Sequence, residues 1–520
     1  MKKIFTTLVA GLMISAQMMA VTPKDVCGQF DGDLWIDWDP YPSRSVYLLP
    51  GTVENTITFV LPDFTFGNGK LGNIVLPNIT MDADGKLTLD EATIWLDTIS
   101  LRASIKMLQN YEDEGDIYNS IVSATQAQVT LEIAEPTTLP APIIVLFEGT
   151  AVRTNNYVLN NSGFEGEWTN NEPQGWHSFG TACGLLNDFV IENTFQFVPS
   201  TDVRPGSNGS QSALISSAMV AGAKANGNCT NGRVNAGSLD AGNAEGNYNF
   251  SDPDSVGFNT AFNGRPDSIV FWAKYQPADL DLTNVENQAR VNAVITTNAR
   301  YQDPETGSFA NAKIGAAALN YTAVEGFGWQ RLSVPFVYGE GSDDKTPAYI
   351  LTTFSTNYTP GGGSSYSTSG KNKKTVLDSV YVDDVELVYN HELSSFTISG
   401  EALTFNQHIA TVESSYCDDC VKYGAIGNGL TAQTFIGFDA THKCIFVYVI
   451  ADDYAQSGAY NIYRVDFADT DAEGLDPLPT GQGIEGFPME NCQVEKVLIN
   501  GQIFIRRDNV WFTIMGARVQ

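Results

Sequence analysis

Between Ile269 and Tyr275 the chain reads as an extended, mostly apolar strand. Ile269, Phe271, Ala273 and Tyr275 fall on one face of an extended strand, and Val270, Trp272 and Lys274 on the other. Thr56-Ile-Thr-Phe-Val-Leu alternates and runs into Pro62-Asp-Phe-Thr-Phe-Gly-Asn-Gly, a cluster of turn formers. Gly72-Asn-Ile-Val-Leu-Pro-Asn-Ile-Thr and Lys86-Leu-Thr-Leu flank Asp82-Ala-Asp-Gly85, which reads as a tight hairpin. Ala127-Gln-Val-Thr-Leu-Glu-Ile and Ile143-Ile-Val-Leu-Phe-Glu-Gly are further strands. Short strands at this spacing suggest antiparallel barrels or sandwiches, so the fold class is all-β. Only Glu91–Met107 offers a short helix.

Length then divides the pattern, because 520 residues are too many for one core. Residues 1–20 read as a secretory signal peptide: Lys2-Lys3, the apolar run Ile4–Ala16, and a cleavage point near Ala20. That run is too short for a membrane span, and no later stretch reaches the ~18 apolar residues a spanning helix needs. Cys27 follows Lys-Asp-Val rather than small residues, which argues against a lipid anchor. Residues 21–152 form a first unit, 153–390 a second and 391–468 a third, smaller β-sandwich of Ig-like size. A Gly/Pro/Asp linker at 469–492 leads to a C-terminal segment, 493–520, in which Asn500-Gly501 is a hairpin turn.

The net charge of −31 argues against a nucleic-acid partner, whose phosphates are bound by Lys and Arg, and against docking on anionic lipid. Neutral sugars and divalent cations are compatible with it. Seven cysteines in an exported chain suggest disulfides with one thiol left over. Cys183 with Cys229, and Cys417 or Cys420 with Cys444, are the local pairs. Cys417-Asp-Asp-Cys420 stands without a second such pair or a His cluster, so neither a redox nor a zinc role is assigned to it.

Several phrases carry resemblances. Leu61-Pro-Asp-Phe, Leu71-Gly-Asn-Ile-Val-Leu and Phe147-Glu-Gly make the first unit similar to calycin-like barrels of exported proteins from gut-dwelling Gram-negative bacteria. The second unit holds Asn161-Ser-Gly-Phe-Glu, Gln174-Gly-Trp, Arg265-Pro-Asp-Ser-Ile, Trp329 six residues ahead of Pro335-Phe-Val-Tyr, and Tyr381-Val-Asp-Asp-Val-Glu-Leu-Val-Tyr. In that order they closely resemble the carbohydrate metabolism domain (PCMD) family, which implies a jelly roll and an involvement with carbohydrate, though no particular reaction. The extra Gly166-Glu167 before Trp168 departs from the family pattern. The C-terminal segment resembles type IX secretion sorting segments, which implies delivery to the periplasm, the cell surface or the medium.

In a jelly roll the first and last strands lie close together. The resemblance therefore places Glu165, from the opening stretch, beside Asp383 on the closing strand Leu377–Tyr389, with Asp384 as the alternative if the register shifts by one. Hard carboxylates with backbone carbonyls suit a structural calcium. Asp383 alternates with Tyr381 and Val385, so its carboxylate interrupts an otherwise apolar row. A buried, unpaired carboxylate is costly, so it needs donors or a cation. Sugar rings stack on exposed aromatics, which makes Trp272, Trp176 and Tyr275 the candidate glycan contacts.

No G-x-S-x-G elbow, H-E-x-x-H pair or phosphate-binding loop is present. The four histidines are scattered, and sixty acids identify no single carboxylate pair for glycoside hydrolysis. The sequence thus points first to an exported, non-catalytic glycan-binding or adhesion protein. A hydrolase or lyase on the jelly roll, and a small-ligand carrier in the barrel, are the alternatives.

Overall fold

The structure is a computed structural model. It describes residues 21–475 and 478, less 67–68, 97–100, 135–140, 153–155, 170–171, 188–196, 221–222, 241–242, 255, 279–286, 308, 359–377 and 418–422, together with four C-terminal strands between 494 and 519. Residues 1–20, expected to be a leader, and most of the expected 469–492 linker lie outside the described residues. The molecule is nearly all β, with one curled half-barrel sheet and several sandwich sheets.

The half-barrel comes from the first unit. Its strands run in spatial order Leu87–Thr88, Gly69–Met81, Thr56–Phe66, Asp39–Pro50, Gly28–Ile36, Ile143–Ala151, Gln126–Ala134, Leu101–Met107 and Ala92–Leu96. Ile121–Val122 pairs off Gln126–Ala134, and a bridge from Lys86 to Ile121 draws the ends of the sheet together. Side chains such as Phe30, Leu48, Phe59, Ile74, Ile105 and Phe147 fill the inside of the curl. Glu91–Met107, expected as a helix, is instead an antiparallel hairpin. Ala103, Ile105 and Met107 are buried while Ser104 and Lys106 are only partly so. That is a period of two, and burial along it overrides the helix propensity of Ala, Leu and Met.

Beside a smaller three-stranded sheet and two two-stranded ones, two five-stranded sheets form the sandwich of the second unit. One orders Phe197–Ser200, Ser212–Ser216, Ser379–Val388, Ser268–Gln276 and Gln330–Pro335; the other orders Asn228–Thr230, Tyr349–Ser355, Ala289–Thr296, Lys313–Tyr321 and Val337–Tyr338. They close on a core that includes Phe164, Trp176, Phe271, Tyr275, Val291 and Phe354. Trp176 is fully buried, its ring 5.0 Å from Phe164 and 6.0 Å from Phe354. Its Nε1 donates to the carbonyls of both Asn160 and Asn161 at 3.1 Å, which satisfies the one polar atom of a core indole.

The third unit is less independent than its size suggested. Cys444–Ile450 is buried at every position, which a central strand covered on both faces requires. Ile445, Val447 and Val449 face Phe396, Tyr463 and Val465 within the unit. Phe446, Tyr448 and Ile450 face Tyr47, Leu49, Val60 and Val75 of the half-barrel, in one shared core. Tyr448 and Thr58 are hydrogen-bonded through their hydroxyls at 3.1 Å, and the Tyr454 hydroxyl donates to Leu48 O at 2.7 Å. The C-terminal strands Val494–Ile499, Gln502–Arg507, Val510–Thr513 and Arg518–Val519 form a separate antiparallel sheet. Ile499 pairs with Gln502, while Asn500 and Gly501 themselves lie outside the described residues.

Where the units meet, the backbone nitrogen of Arg265 donates to Asp452 Oδ2 at 2.7 Å, and those of Asn390 and Leu430 donate to Asp267. Asp453, next to Asp452, is buried, and its Oδ1 has no donor. Burial, with repulsion from Asp452 added, raises its carboxyl to about 6 despite Ser457 and His391. A carboxyl that binds its proton more tightly when folded adds stability in full below its unfolded value near 4. That stability falls away as pH rises toward 6, and here it amounts to up to about 3 kcal/mol. Asp453→Asn should therefore flatten this part of the stability–pH curve between pH 4 and 6. Urea unfolding across that range checks it, and an unchanged slope would show that Asp453 titrates normally.

Candidate functional site

On the Phe197–Ser200 to Gln330–Pro335 sheet, the two-residue repeat of the strand Ser268–Gln276 sorts its side chains, with Val270 buried on the opposite face. Ile269, Phe271, Ala273 and Tyr275 enter the core, while Trp272 and Lys274 point outward and stay partly exposed. Trp272 stands opposite Asp383 on one neighbouring strand and Arg331 on the other; Lys274 stands opposite Tyr381. The loop that follows Phe197–Ser200 folds over this row. Arg204 lies over the Trp272 ring at 5.5 Å, and its Nε donates to Asp384. Lys274 is ion-paired with Asp202 and lies 4.9 Å above the Tyr381 ring. Trp329 Nε1 donates to Asp202 Oδ1 at 3.1 Å, and its ring meets Tyr381 edge-on at 6.2 Å. Cation–π contacts to Trp272 and Tyr381, and a hydrogen bond from Trp329, thus fix three half-exposed aromatic rings beside one another.

Of the three aromatics named from sequence, only Trp272 belongs here. Trp176 and Tyr275 are core residues, closed to any ligand. The Tyr275 face followed from its alternation with Phe271, and burial leaves its hydroxyl without a partner. Tyr381, Trp329, Lys274, Asp202 and Arg204 were not singled out. Tyr381 and Lys274 sit two residues from Asp383 and Trp272, so period two alone could have found them. Arg204 arrives on a loop that no periodicity marks.

The two ends of the unit do meet: Val385 N donates to Ser162 O at 3.0 Å. A Cβ on Gly163 would sit 3.3 Å from Asp384 Oδ1 and 3.7 Å from Glu165 Cγ. Asp384 adopts a left-handed φ of 44°, where the register of the strand against Ser268–Gln276 shifts. This bulge turns Val385 into the core with Val380 and Val382, and leaves Asp383 on the outer face with Tyr381. The expectation that Asp383 and Val385 share a face is therefore corrected.

Protein donors already engage most of these carboxylates. Glu165 accepts from Ser210 N and Gln211 N at 2.9 Å and from Ser210 Oγ at 3.1 Å. Asp383 Oδ2 accepts from Arg204 N at 2.9 Å, and Asp384 Oδ2 holds Arg204 and Ser207. Asp383 Oδ1 alone is buried and unpartnered, and burial raises that carboxyl to about 6, with Asp384 adding to the rise. A guanidinium stands where a cation was expected. Among the described residues, no three His, Cys, Asp or Glu side chains are grouped to hold a metal ion.

The cysteine expectations are corrected. Cys183 and Cys229 are both free. Cys229 is buried in the sandwich core opposite Phe354, whereas Cys183 lies on the loop bridged to Asn235 and contacts its Oδ1 at 3.5 Å. Cys444 is also free and buried, so it is not the partner of Cys417, which is disulfide-bonded. His177 is a fixed loop residue, bonded to Glu172 Oε2 at 3.3 Å and Gly257 O at 2.9 Å. Among the described residues no helix is long and apolar enough to cross a membrane. Compared with protein-family models and with curated proteins, the chain finds no match.

Proposed function

We propose that this chain is an exported, non-catalytic carbohydrate-binding or adhesion-type protein, of the kind its resemblance to carbohydrate metabolism domains implies. Its glycan contacts lie on the outer face that carries Trp272, Tyr381 and Trp329. The observation that carries the proposal is the fixing of these rings. Half-exposed aromatics held by Arg204, Lys274 and Asp202 lose little freedom when the apolar face of a sugar ring stacks on them. Lys274, Asp202 and the exposed Arg331 offer donors and acceptors to sugar hydroxyls beside them. Side chains fill the inside of the half-barrel, which leaves the carrier alternative without an observation in its favour. Beside Trp272, Asp383 is covered and Asp202 is tied to Lys274 and Trp329, so this face offers no observation in favour of the hydrolase alternative.

A glycan array with the mature protein tests the reading. Trp272→Ala is expected to weaken the best glycan by roughly tenfold or more, the range of a lost stacking contact. Unchanged binding in Trp272→Ala and in Trp329→Ala would move the site elsewhere, and no binding to any glycan would end the proposal.

A structural calcium is a second reading, favoured by the unpartnered Asp383 Oδ1. It requires the Arg204 guanidinium to leave Asp384. On this reading chelator lowers the thermal midpoint of the wild type and not of Asp383→Ala; a wild-type midpoint indifferent to chelator removes calcium from the account.

A further inference from the structure

At the far end of the half-barrel a hairpin joins Gly28–Ile36 to Asp39–Pro50. Ile36 pairs with Asp39, so Asp37-Trp38 is a two-residue loop, and both residues are left-handed, with φ of 46° and 71°. Such loops favour Asp-Gly or Asn-Gly, because the second position has a positive φ that a Cβ resists. The neighbouring hairpin, Tyr111–Asp113 with Asp116–Tyr118, follows that rule: its loop is Glu114-Gly115, with φ of 49° and 93°. The first hairpin places a tryptophan where its neighbour has glycine. A bulky residue in that backbone state carries a conformational cost that glycine avoids.

The Trp38 side chain is only partly buried, and its ring lies 5.2 Å from that of Tyr118 at an angle of 51°. Tyr118 stands directly opposite Tyr111, and Asp113 opposite Asp116, so all four point to the same face of their hairpin. No protein donor among the described residues bonds to the Asp113, Glu114 or Asp116 carboxylates. Burial, and after it Asp116, Glu148, Asp113 and Glu114, raise the Tyr118 hydroxyl above its ordinary range. Tyr111 is raised by burial and then by Asp113, Asp37 and Glu132. Asp113 and Asp116 thus lie beside the rings on one hairpin face. Among the described residues, the basic group paired with any of the acids that raise the two hydroxyls is Lys106, held by Glu132 at 2.6 Å.

We propose that Trp38, Tyr111 and Tyr118, with Asp113 and Asp116, form a binding site for the organic ammonium group of a small molecule. Aromatic faces attract a cation through their quadrupoles, and carboxylates beside them add charge that an uncharged guest cannot use. A sugar-stacking role would use the rings but not the charge of Asp113 and Asp116. This site lies on the first unit and does not depend on the glycan face of the second.

Calorimetric titration of the full mature chain with choline, and with its neutral isostere 3,3-dimethyl-1-butanol, tests the proposal. Choline is expected to bind, and the isostere roughly tenfold more weakly. Asp113→Asn with Asp116→Asn should narrow that difference. Trp38→Gly provides the folding control: glycine suits the turn, so the thermal midpoint should hold or rise while choline binding is lost. Equal binding of the two probes, binding of neither by the wild type, or full choline affinity in Trp38→Gly would each overturn the site.

Discussion

Trp176→Ala is expected to destabilise the sandwich unit by about 3–5 kcal/mol, the range for deleting a large aromatic from a packed core. Three consequences add up at this position. The indole is fully buried between Phe164 and Phe354, so its removal opens a cavity beneath both sheets. The carbonyls of Asn160 and Asn161 lose a shared donor. The opening stretch, whose Ser162 is hydrogen-bonded to Val385 on the closing strand, loses its anchor in the core. Trp176→Phe keeps most of the volume and should recover more than half of the loss. Denaturant midpoints of the two variants check this, and near-equal stability of Trp176→Ala and wild type would mean that the indole is not a core residue. A weakened glycan interaction in a fully folded Trp176→Ala protein would likewise restore it as a contact.

The all-β class was legible because strand alternation is a direct consequence of backbone geometry, and Phe271–Tyr275 shows it in its burial, although Val270 is buried on the opposite face. What alternation cannot carry is a change of phase. Asp384 takes a left-handed backbone, the strand bulges, and every side chain beyond it changes face; one residue separates the expected position of Val385 from the observed one. The candidate site was legible in part. Trp272 follows from its strand, but the residues that fix it come from a loop and two other strands, and contacts between distant segments leave no local trace. Asp202 and Arg204 are 70 and 68 positions from Trp272 in the chain, yet they fold over the same sheet face. Glu91–Met107 failed for a different reason. Ala, Leu and Met are strong helix formers, and only the burial of Ala103, Ile105 and Met107 on one side reveals the strand.

Phe446→Ala and Ile445→Ala are expected to separate the two roles of one strand. Cys444-Ile-Phe-Val-Tyr-Val-Ile is apolar throughout, and such a run belongs where both faces of a sheet are covered. Ile445 points into the third unit's own core, and Phe446 into the core it shares with Tyr47, Val60 and Val75 of the half-barrel. Each truncation leaves a cavity, worth about 3–5 kcal/mol for Phe446 and about 2–5 kcal/mol for Ile445. The measurable difference lies in cooperativity. Loss of Phe446 weakens the bond between units, so the half-barrel and the third unit should unfold at separate midpoints. Loss of Ile445 weakens the third unit internally and leaves its contact with the half-barrel intact, so their transitions should shift together. Calorimetry of the two variants distinguishes these outcomes. A single coincident transition in Phe446→Ala would show that the shared core does not join the units, and that the hydrogen bonds of Tyr454 to Leu48 and of Tyr448 to Thr58 suffice.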